Sequence, residues 1–103
     1  MVVLVADDPG PISSQTEQDT RTFARFAKVP CFDPTGVAEA YEMIQEAFEF
    51  SEKYHTPVFF RPTTRVDHGY ASLTVKEPAE YTVHEAKGFA RDPGRWVIFP
   101  RLS

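Results

Sequence analysis

The chain has 103 residues, of which 42% are hydrophobic and 25% charged, and this length and composition are typical of one folded domain. Its net charge is −4. The acidic balance argues against a nucleic-acid partner, and no apolar run approaches the roughly 20 residues that cross a membrane. With one cysteine, Cys31, an internal disulfide is excluded, so we expect a reducing, cytoplasmic location.

The N-terminal half begins with a strand pattern. Residues 2–6 form a continuous apolar run rich in β-branched residues, which is typical of a strand buried on both faces of a parallel sheet. A loop rich in aspartate, proline and glycine follows. Residues 29–32 are a second, shorter strand candidate, and their proline favours the strand start or a sheet edge. Residues 58–60 are a third buried strand candidate.

Two helices lie between these strands. Ser14 and Glu17 fit a capping box, which predicts a helix over residues 15–27. A second helix is predicted to begin with Thr35 as its N-cap and to end before Pro57. One face of this helix is apolar and consists of Val37, Tyr41, Ile44 and Phe48. Another face is acidic and consists of Glu39, Glu42, Glu46, Glu49 and Glu52.

The predicted order β-α-β-α-β indicates an α/β fold with a parallel sheet and right-handed crossovers. Three strands are few for a doubly wound sheet, so we expect part of such a domain in residues 1–68. Residues 69–103 are predicted to be a connector or extension with a possible edge strand, for which residues 96–99 are a candidate. Residues 1–57 hold four basic and ten acidic residues, whereas residues 58–103 hold seven and five, so the two halves are expected to face different surroundings.

Two polar loops are candidates for a binding site, because ligands of parallel α/β sheets bind beyond the carboxyl ends of the strands. The first loop, residues 7–19, follows the first strand and contains Asp7, Asp8, Ser13, Ser14, Gln15, Glu17, Gln18 and Asp19. The second loop, residues 61–68, follows the third strand and should lie at the same edge. It contains Arg61, Thr63, Thr64, Arg65 and His68, which suit an anionic group such as a carboxylate. The structural alternatives are a surface loop before a capped helix for the first loop, and a pair of solvated or salt-bridged arginines for the second.

The remaining candidates are weaker. The three histidines lack the spacing of metal ligands, and Cys31 in an apolar segment is expected to be a small buried residue. No glycine-rich phosphate loop is present. The aromatic residues predicted to form the core are Phe23, Phe26, Tyr41, Phe48, Phe59 and Phe60.

Two segments resemble the alpha subunit of indolepyruvate:ferredoxin oxidoreductase. They are residues 6–40 and residues 56–68, with the motifs ADDPG, SSQ-x-EQD, R-x-x-ARFAK and TPV-x-x-R-x-TTR-x-x-H. Residues 89–97 are similar to the connector that follows in the family. Pro62 and Asp67 depart from the hydroxyl residues expected at those positions.

The resemblance implies a part of the pyrimidine-binding domain of an oxidoreductase that uses thiamine diphosphate with Mg²⁺. Such enzymes decarboxylate aryl pyruvates oxidatively, form acyl-coenzyme A and reduce ferredoxin through iron–sulfur clusters. The activating glutamate, the diphosphate motif and the cluster cysteines of the family are not in this sequence, and Glu17 is assigned to the capping box. No catalytic residue and no metal ligand is therefore expected here.

These observations lead to two hypotheses. The first is a part of such an oxidoreductase, inactive in isolation, whose two loops border the site of substrate and coenzyme. Arg61 or Arg65 would then bind the substrate carboxylate, and the remaining domains or subunits would be its partners. The second is a stand-alone interaction module that forms a homodimer, because half of a domain leaves a sheet edge and apolar surface uncovered.

Overall fold

A sheet of three parallel strands is the centre of the fold. The computed structural model describes residues 1–86 and 88–96. The strands are β1 (Val2–Leu4), β2 (Cys31–Phe32) and β3 (Val58–Phe60), in the spatial order β1-β3-β2. Leu4 of β1 and Phe32 of β2 both pair with Phe60 of the central strand, and both pairings are parallel. The predicted α/β class and parallel sheet are confirmed, and within residues 1–86 and 88–96 no further strand pairs with β1 or β2, as expected for part of a domain.

The helices alternate with the strands and continue beyond them. They are α1 (Arg21–Ala27), α2 (Val37–Tyr54), α3 (Thr64–Asp67) and α4 (Pro93–Trp96), with a 3₁₀ helix at Pro78–Glu80. None of the described helices is both long and apolar enough to cross a membrane. Of the strand candidate at residues 96–99, Trp96 ends helix α4 and the remainder lies outside the described residues.

Helix α2 builds the core on one face of the sheet. Ala47 is fully buried against Val58 and Phe60, and α2 contacts all three strands. The small Ala47 side chain allows the helix to approach the sheet closely. Buried Ser51 donates its hydroxyl to the Thr56 carbonyl at 2.7 Å, which stabilises the turn into β3.

Several residues predicted to be buried are exposed. Leu4 is 67% exposed and Val2 and Val3 are only partly buried, so the prediction of a first strand buried on both faces was wrong. Cys31, expected to be buried, is exposed on edge strand β2. Of the predicted aromatic core, Phe60 is buried and Tyr41 and Phe59 are half-buried, whereas the exposed members are Phe23, Phe26 and Phe48. Only Ala24 of α1 is buried, so this helix leaves its phenylalanines in solvent.

Both predicted helix starts differ in the structure. Helix α1 begins at Arg21, well after the predicted residue 15, and its N-cap is Thr20. The N-cap of α2 is Gly36, not Thr35. Thr35 instead donates its N–H and its hydroxyl to the Glu39 carboxylate, both at 2.6 Å, and thereby bonds the loop to the first helical turn.

The segment after α3 lies along α2 and contacts residues of both its predicted apolar face and its predicted acidic face. The hydroxyls of Tyr41 and Tyr81 are 2.6 Å apart, and Lys76 Nζ is 2.8 Å from a carboxylate oxygen of Glu42. The bond to Tyr41, together with burial, raises the pKa of Tyr81 to about 12. The ion pair joins a basic residue of the C-terminal half, Lys76, to an acidic residue of the N-terminal half, Glu42. It gives a structural reason for part of the difference in charge between the two halves.

Candidate functional site

Asp8 organises the first loop. Its Oδ2 atom accepts the backbone N–H groups of Ile12, Ser13 and Ser14 at 2.9, 2.7 and 2.7 Å. Burial alone would raise the pKa of Asp8, but the three donors outweigh burial and lower that pKa to about 2. The carboxylate is therefore ionised, and it folds residues 8–14 into a tight turn.

Asp7 determines where helix α1 begins. Its Oδ2 atom accepts both the N–H and the hydroxyl of Thr20, at 2.6 and 2.8 Å. The capping box predicted for Ser14 and Glu17 is thus replaced, because Asp8 binds the Ser14 N–H and the helix starts only after Thr20. A carboxylate supplied from the end of β1 has displaced the local cap.

The two loops meet at the carboxyl edge of the sheet. The Asp7 N–H donates to the Pro62 carbonyl at 3.0 Å, and the Thr64 N–H donates to the Asp7 carbonyl at 2.9 Å. Asp7 and Thr63 consequently form a parallel bridge that extends the pairing of β1 with β3. The structure therefore brings the first and second loops together, as the parallel topology predicted.

Arg61 is buried among aspartates at this edge. Only 2% of its side chain is exposed, and its Nε donates to Asp7 Oδ2. One terminal nitrogen lies 3.1 and 3.0 Å from the two carboxylate oxygens of Asp33, and the other lies 3.5 Å from Asp19. Burial opposes the charge of Arg61, but the carboxylates prevail and raise its pKa, while the pKa of Asp7 is lowered.

Asp33 was missed as a member of this cluster. It lies between β2 and α2, outside the two loops that were predicted to form the site. The signal that could have identified it is its position directly after β2, since the carboxyl ends of parallel strands share one edge.

Arg65 and His68 line an open cleft between the two loops. The cleft has a volume of about 460 Å³, and its other lining residues are Ile12, Ser13 and Thr64. A recess of about 80 Å³, bordered by Asp8, adjoins it. The cleft thus combines an apolar side chain, two hydroxyls, a guanidinium and an imidazole. This set suits an organic anion with an apolar part.

The other predicted site residues take different positions. Gln15, Glu17 and Gln18 are exposed and do not line the cleft, although the Gln18 N–H donates to the Asp8 carbonyl at 3.3 Å. Asp19 binds Arg21 at 2.6 Å, which lowers the pKa of Asp19. Ile12 was missed, and its isolation as an apolar residue within a polar loop was the available signal.

A second cleft, of about 480 Å³, lies between α2 and the C-terminal segment. Its lining includes the carboxylates of Glu49, Glu52 and Glu80, which would repel an anion. Within residues 1–86 and 88–96, no group of three His, Cys, Asp or Glu side chains could hold a metal ion. The cleft at the sheet edge is therefore the better candidate for an anionic organic ligand.

The fold and this site define the class of the protein, a part of a parallel α/β domain whose candidate site lies at the carboxyl edge of the sheet. The chain is 45% identical to indolepyruvate oxidoreductase subunit IorA of Pyrococcus abyssi and 46% identical to that of Methanothermobacter marburgensis, in each case over its whole length. The IorA subunit of Archaeoglobus fulgidus is 42% identical over 96% of the chain. No family model and no solved structure matches.

The chain therefore belongs to the family of indolepyruvate oxidoreductase alpha subunits. It spans about 16% of the length of these relatives, and so corresponds to one segment of them.

Proposed function

We propose that this chain forms part of the substrate-proximal wall of an indolepyruvate oxidoreductase. The relatives carry that name, and the reaction implied by the resemblance is the oxidative decarboxylation of aryl pyruvates to acyl-coenzyme A with ferredoxin as electron acceptor. The observation that supports the proposal is the cleft in which Arg65 and His68 face Ile12 and Ser13. An aryl pyruvate has a carboxylate for the basic wall and an aromatic ring for the apolar one.

Arg65 is the arginine available to the substrate. It is exposed and lines the cleft, whereas Arg61 is buried and surrounded by three carboxylates. A guanidinium binds a carboxylate with two parallel hydrogen bonds. Arg65 would therefore bind the substrate carboxylate, with Thr64 and His68 beside it as further hydrogen-bonding groups.

The described residues do not fit the metal and diphosphate end of thiamine diphosphate. They offer neither a cluster of metal ligands nor a glycine-rich cradle, and Cys31 is the single thiol for iron–sulfur ligation. In our proposal the coenzyme with its Mg²⁺ and the clusters are bound by other domains or subunits. The two loops would lie beside the reactants without binding the diphosphate.

The proposal implies that the 103-residue chain is inactive alone and acts together with the remaining domains or subunits. Mixing it with aryl pyruvate, thiamine diphosphate, Mg²⁺, coenzyme A and ferredoxin should give no reduction of ferredoxin. The matched control is the complete oxidoreductase under the same conditions. Turnover by the isolated chain would contradict the proposal.

The role of Arg65 is tested in the complete enzyme. Arg65→Ala should raise KM for indolepyruvate at least tenfold, because a charge-assisted hydrogen bond contributes about 1.5–3 kcal/mol. Arg25→Ala is a charge-matched control, since Arg25 is exposed near the end of α1 and does not line the cleft. Unchanged KM and kcat in Arg65→Ala would refute the assignment.

The homodimer remains a second candidate because large apolar side chains are exposed. Phe26 is 86% exposed, Phe23 is 64% exposed, and Leu4 lies exposed on β1, an outer strand of the described sheet. Such surfaces favour association. A monodisperse monomer at tens of micromolar in sedimentation would exclude self-assembly, whereas a dimer that lacks any aryl-pyruvate binding would favour this candidate over the oxidoreductase.

A further inference from the structure

Arg61 contacts both ends of the first loop. Asp7, the first residue of that loop, binds Nε of Arg61, and Asp19, the last residue, lies 3.5 Å from a terminal nitrogen. Asp33 binds the same guanidinium from the end of β2. One buried side chain that follows β3 thus connects the ends of all three strands with the beginning of α1.

The same cluster, in which Arg61 is the first residue of the second loop, is also bonded to the backbone of that loop. Asp7 bonds to the Pro62 carbonyl and to the Thr64 N–H, and Thr64 lines the cleft next to Arg65. Thr20 donates to the Asp7 oxygen that also receives Arg61 Nε. Asp7 therefore connects the first loop, which contributes Ile12 to one wall of the cleft, with the second loop, which forms the other wall.

We propose that Arg61 is a positioning residue, which binds both ends of the first loop and thereby sets the separation of the two walls of the cleft without contacting the ligand. For the identity of the ligand this inference rests on the proposed function. The ordering of the loops by Arg61 does not depend on the ligand and can be measured without it.

The charges around Arg61 give this role a distinctive pH dependence. The titratable and charged groups that interact with the cluster are Asp7, Asp19, Asp33, Arg21 and Cys31. In Arg61→Gln, the buried Asp7 carboxylate loses its cation, so protonation of Asp7 becomes favourable well above its usual range. The loop should then be disordered at pH 7 and should regain order toward pH 5.

Residue-resolved amide hydrogen exchange of the 103-residue chain tests the inference. In Arg61→Gln we expect at least tenfold more opening at Thr20 and Thr64 at pH 7, with part of the protection restored at pH 5 after correction for intrinsic exchange. The Phe59 N–H, which donates to the Pro30 carbonyl, should keep its protection. Arg21→Gln is the control, because Arg21 is exposed and binds only one end of the loop.

Arg61→Lys provides a second variant if the glutamine variant does not fold. A lysine retains the charge, but its ammonium cannot present the planar fork that contacts three carboxylates. We expect the protection of the Thr20 N–H in Arg61→Lys to lie between that of the wild type and that of Arg61→Gln. If only Arg61→Lys folds, we expect it to lose protection at Thr20, but less than the tenfold expected for Arg61→Gln. Wild-type protection at Thr20 and Thr64 in the variants that fold would overturn the inference, as would an equal loss at Phe59. Absence of aryl-carboxylate binding would instead count against the proposed function.

Discussion

Asp7 and Arg61 are 54 residues apart in the sequence and form a buried ion pair at the carboxyl edge of the sheet. Neither side chain exposes more than 2% of its surface. Asp7 also accepts two hydrogen bonds from Thr20, and Arg61 also binds Asp33. The pair therefore joins the two loops of the candidate site in a region from which water is excluded.

Removal of Arg61 should strongly destabilise the chain. Arg61→Ala leaves a buried carboxylate without its cation, and breaking a buried pair in this way costs about 3–5 kcal/mol. Urea unfolding at pH 7 measures the loss. Arg25→Ala should change the free energy of unfolding by less than about 0.5 kcal/mol, because Arg25 is exposed. A loss below about 1 kcal/mol in Arg61→Ala would show that the ion pair contributes little to folding.

Asp8 should make the stability depend on pH below about 4. Its pKa is lowered from 3.8 to about 2, so the folded state binds this proton more weakly than the unfolded state. The ionised carboxylate therefore stabilises the fold above about pH 4, and this contribution is lost as the pH falls through about 2. Asp8→Asn should be less stable than the wild type at pH 7, and the difference should narrow by pH 2.

Urea titrations at several pH values measure this effect. Glu46→Gln is a matched control because Glu46 is exposed on α2. Its stability curve should run parallel to that of the wild type. A difference between Asp8→Asn and the wild type that stays constant from pH 7 to pH 2 would contradict the role assigned to Asp8.

Ala47 should not tolerate a larger side chain. It is fully buried between α2 and the sheet, against Val58 and Phe60. Ala47→Leu should reduce the free energy of unfolding by about 1–3 kcal/mol, because the extra carbons force the helix away from the strands. Ala38→Leu, at an exposed position of the same helix, is the control and should be nearly neutral. Equal effects of the two substitutions in thermal or urea unfolding would show that the α2–sheet packing is not tight.

Gly69 should be required where α3 meets α2. A Cβ atom at this position would lie 2.7 Å from Val37 Cγ2 and 2.8 Å from the Arg65 carbonyl oxygen. The carbonyl belongs to the backbone and cannot move aside easily, so Gly69→Ala should cost about 1–3 kcal/mol. Gly36→Ala meets no atom within 4 Å and should cost less than half as much. Urea unfolding that ranks these variants in the opposite order would refute the close approach.

The sequence predicted the topology well because the topology depends on local patterns. The three apolar runs and the periodicity of Val37, Tyr41 and Ile44 correctly indicated the order of strands and helices. Burial was predicted less well. Phe23 and Phe26 follow a helical spacing, but α1 buries only Ala24, and periodicity does not reveal how much surface the surrounding protein covers.

The candidate site was predicted as two loops at one edge, which followed from the parallel order of the strands. Its internal bonding could not be predicted. Asp8 accepts the Ser14 N–H that the predicted capping box assigned to Glu17, and Asp7 binds Thr20 thirteen residues away. A capping box is a local pattern, and it does not reveal that Asp8 and Asp7, which follow β1, accept the Ser14 N–H and the Thr20 N–H instead.

The most direct test of the central claim is calorimetric binding of indole-3-propionate, an aryl carboxylate that cannot be decarboxylated as a 2-oxoacid, to the complete enzyme. The amide of indole-3-propionate serves as the uncharged comparison. We expect the wild type to bind the acid at least tenfold more tightly than the amide, and Arg65→Ala to bind the two equally, because one lost charge-assisted pair is worth a factor of about 10–100. Undiminished preference for the acid in Arg65→Ala would contradict a carboxylate site in this cleft.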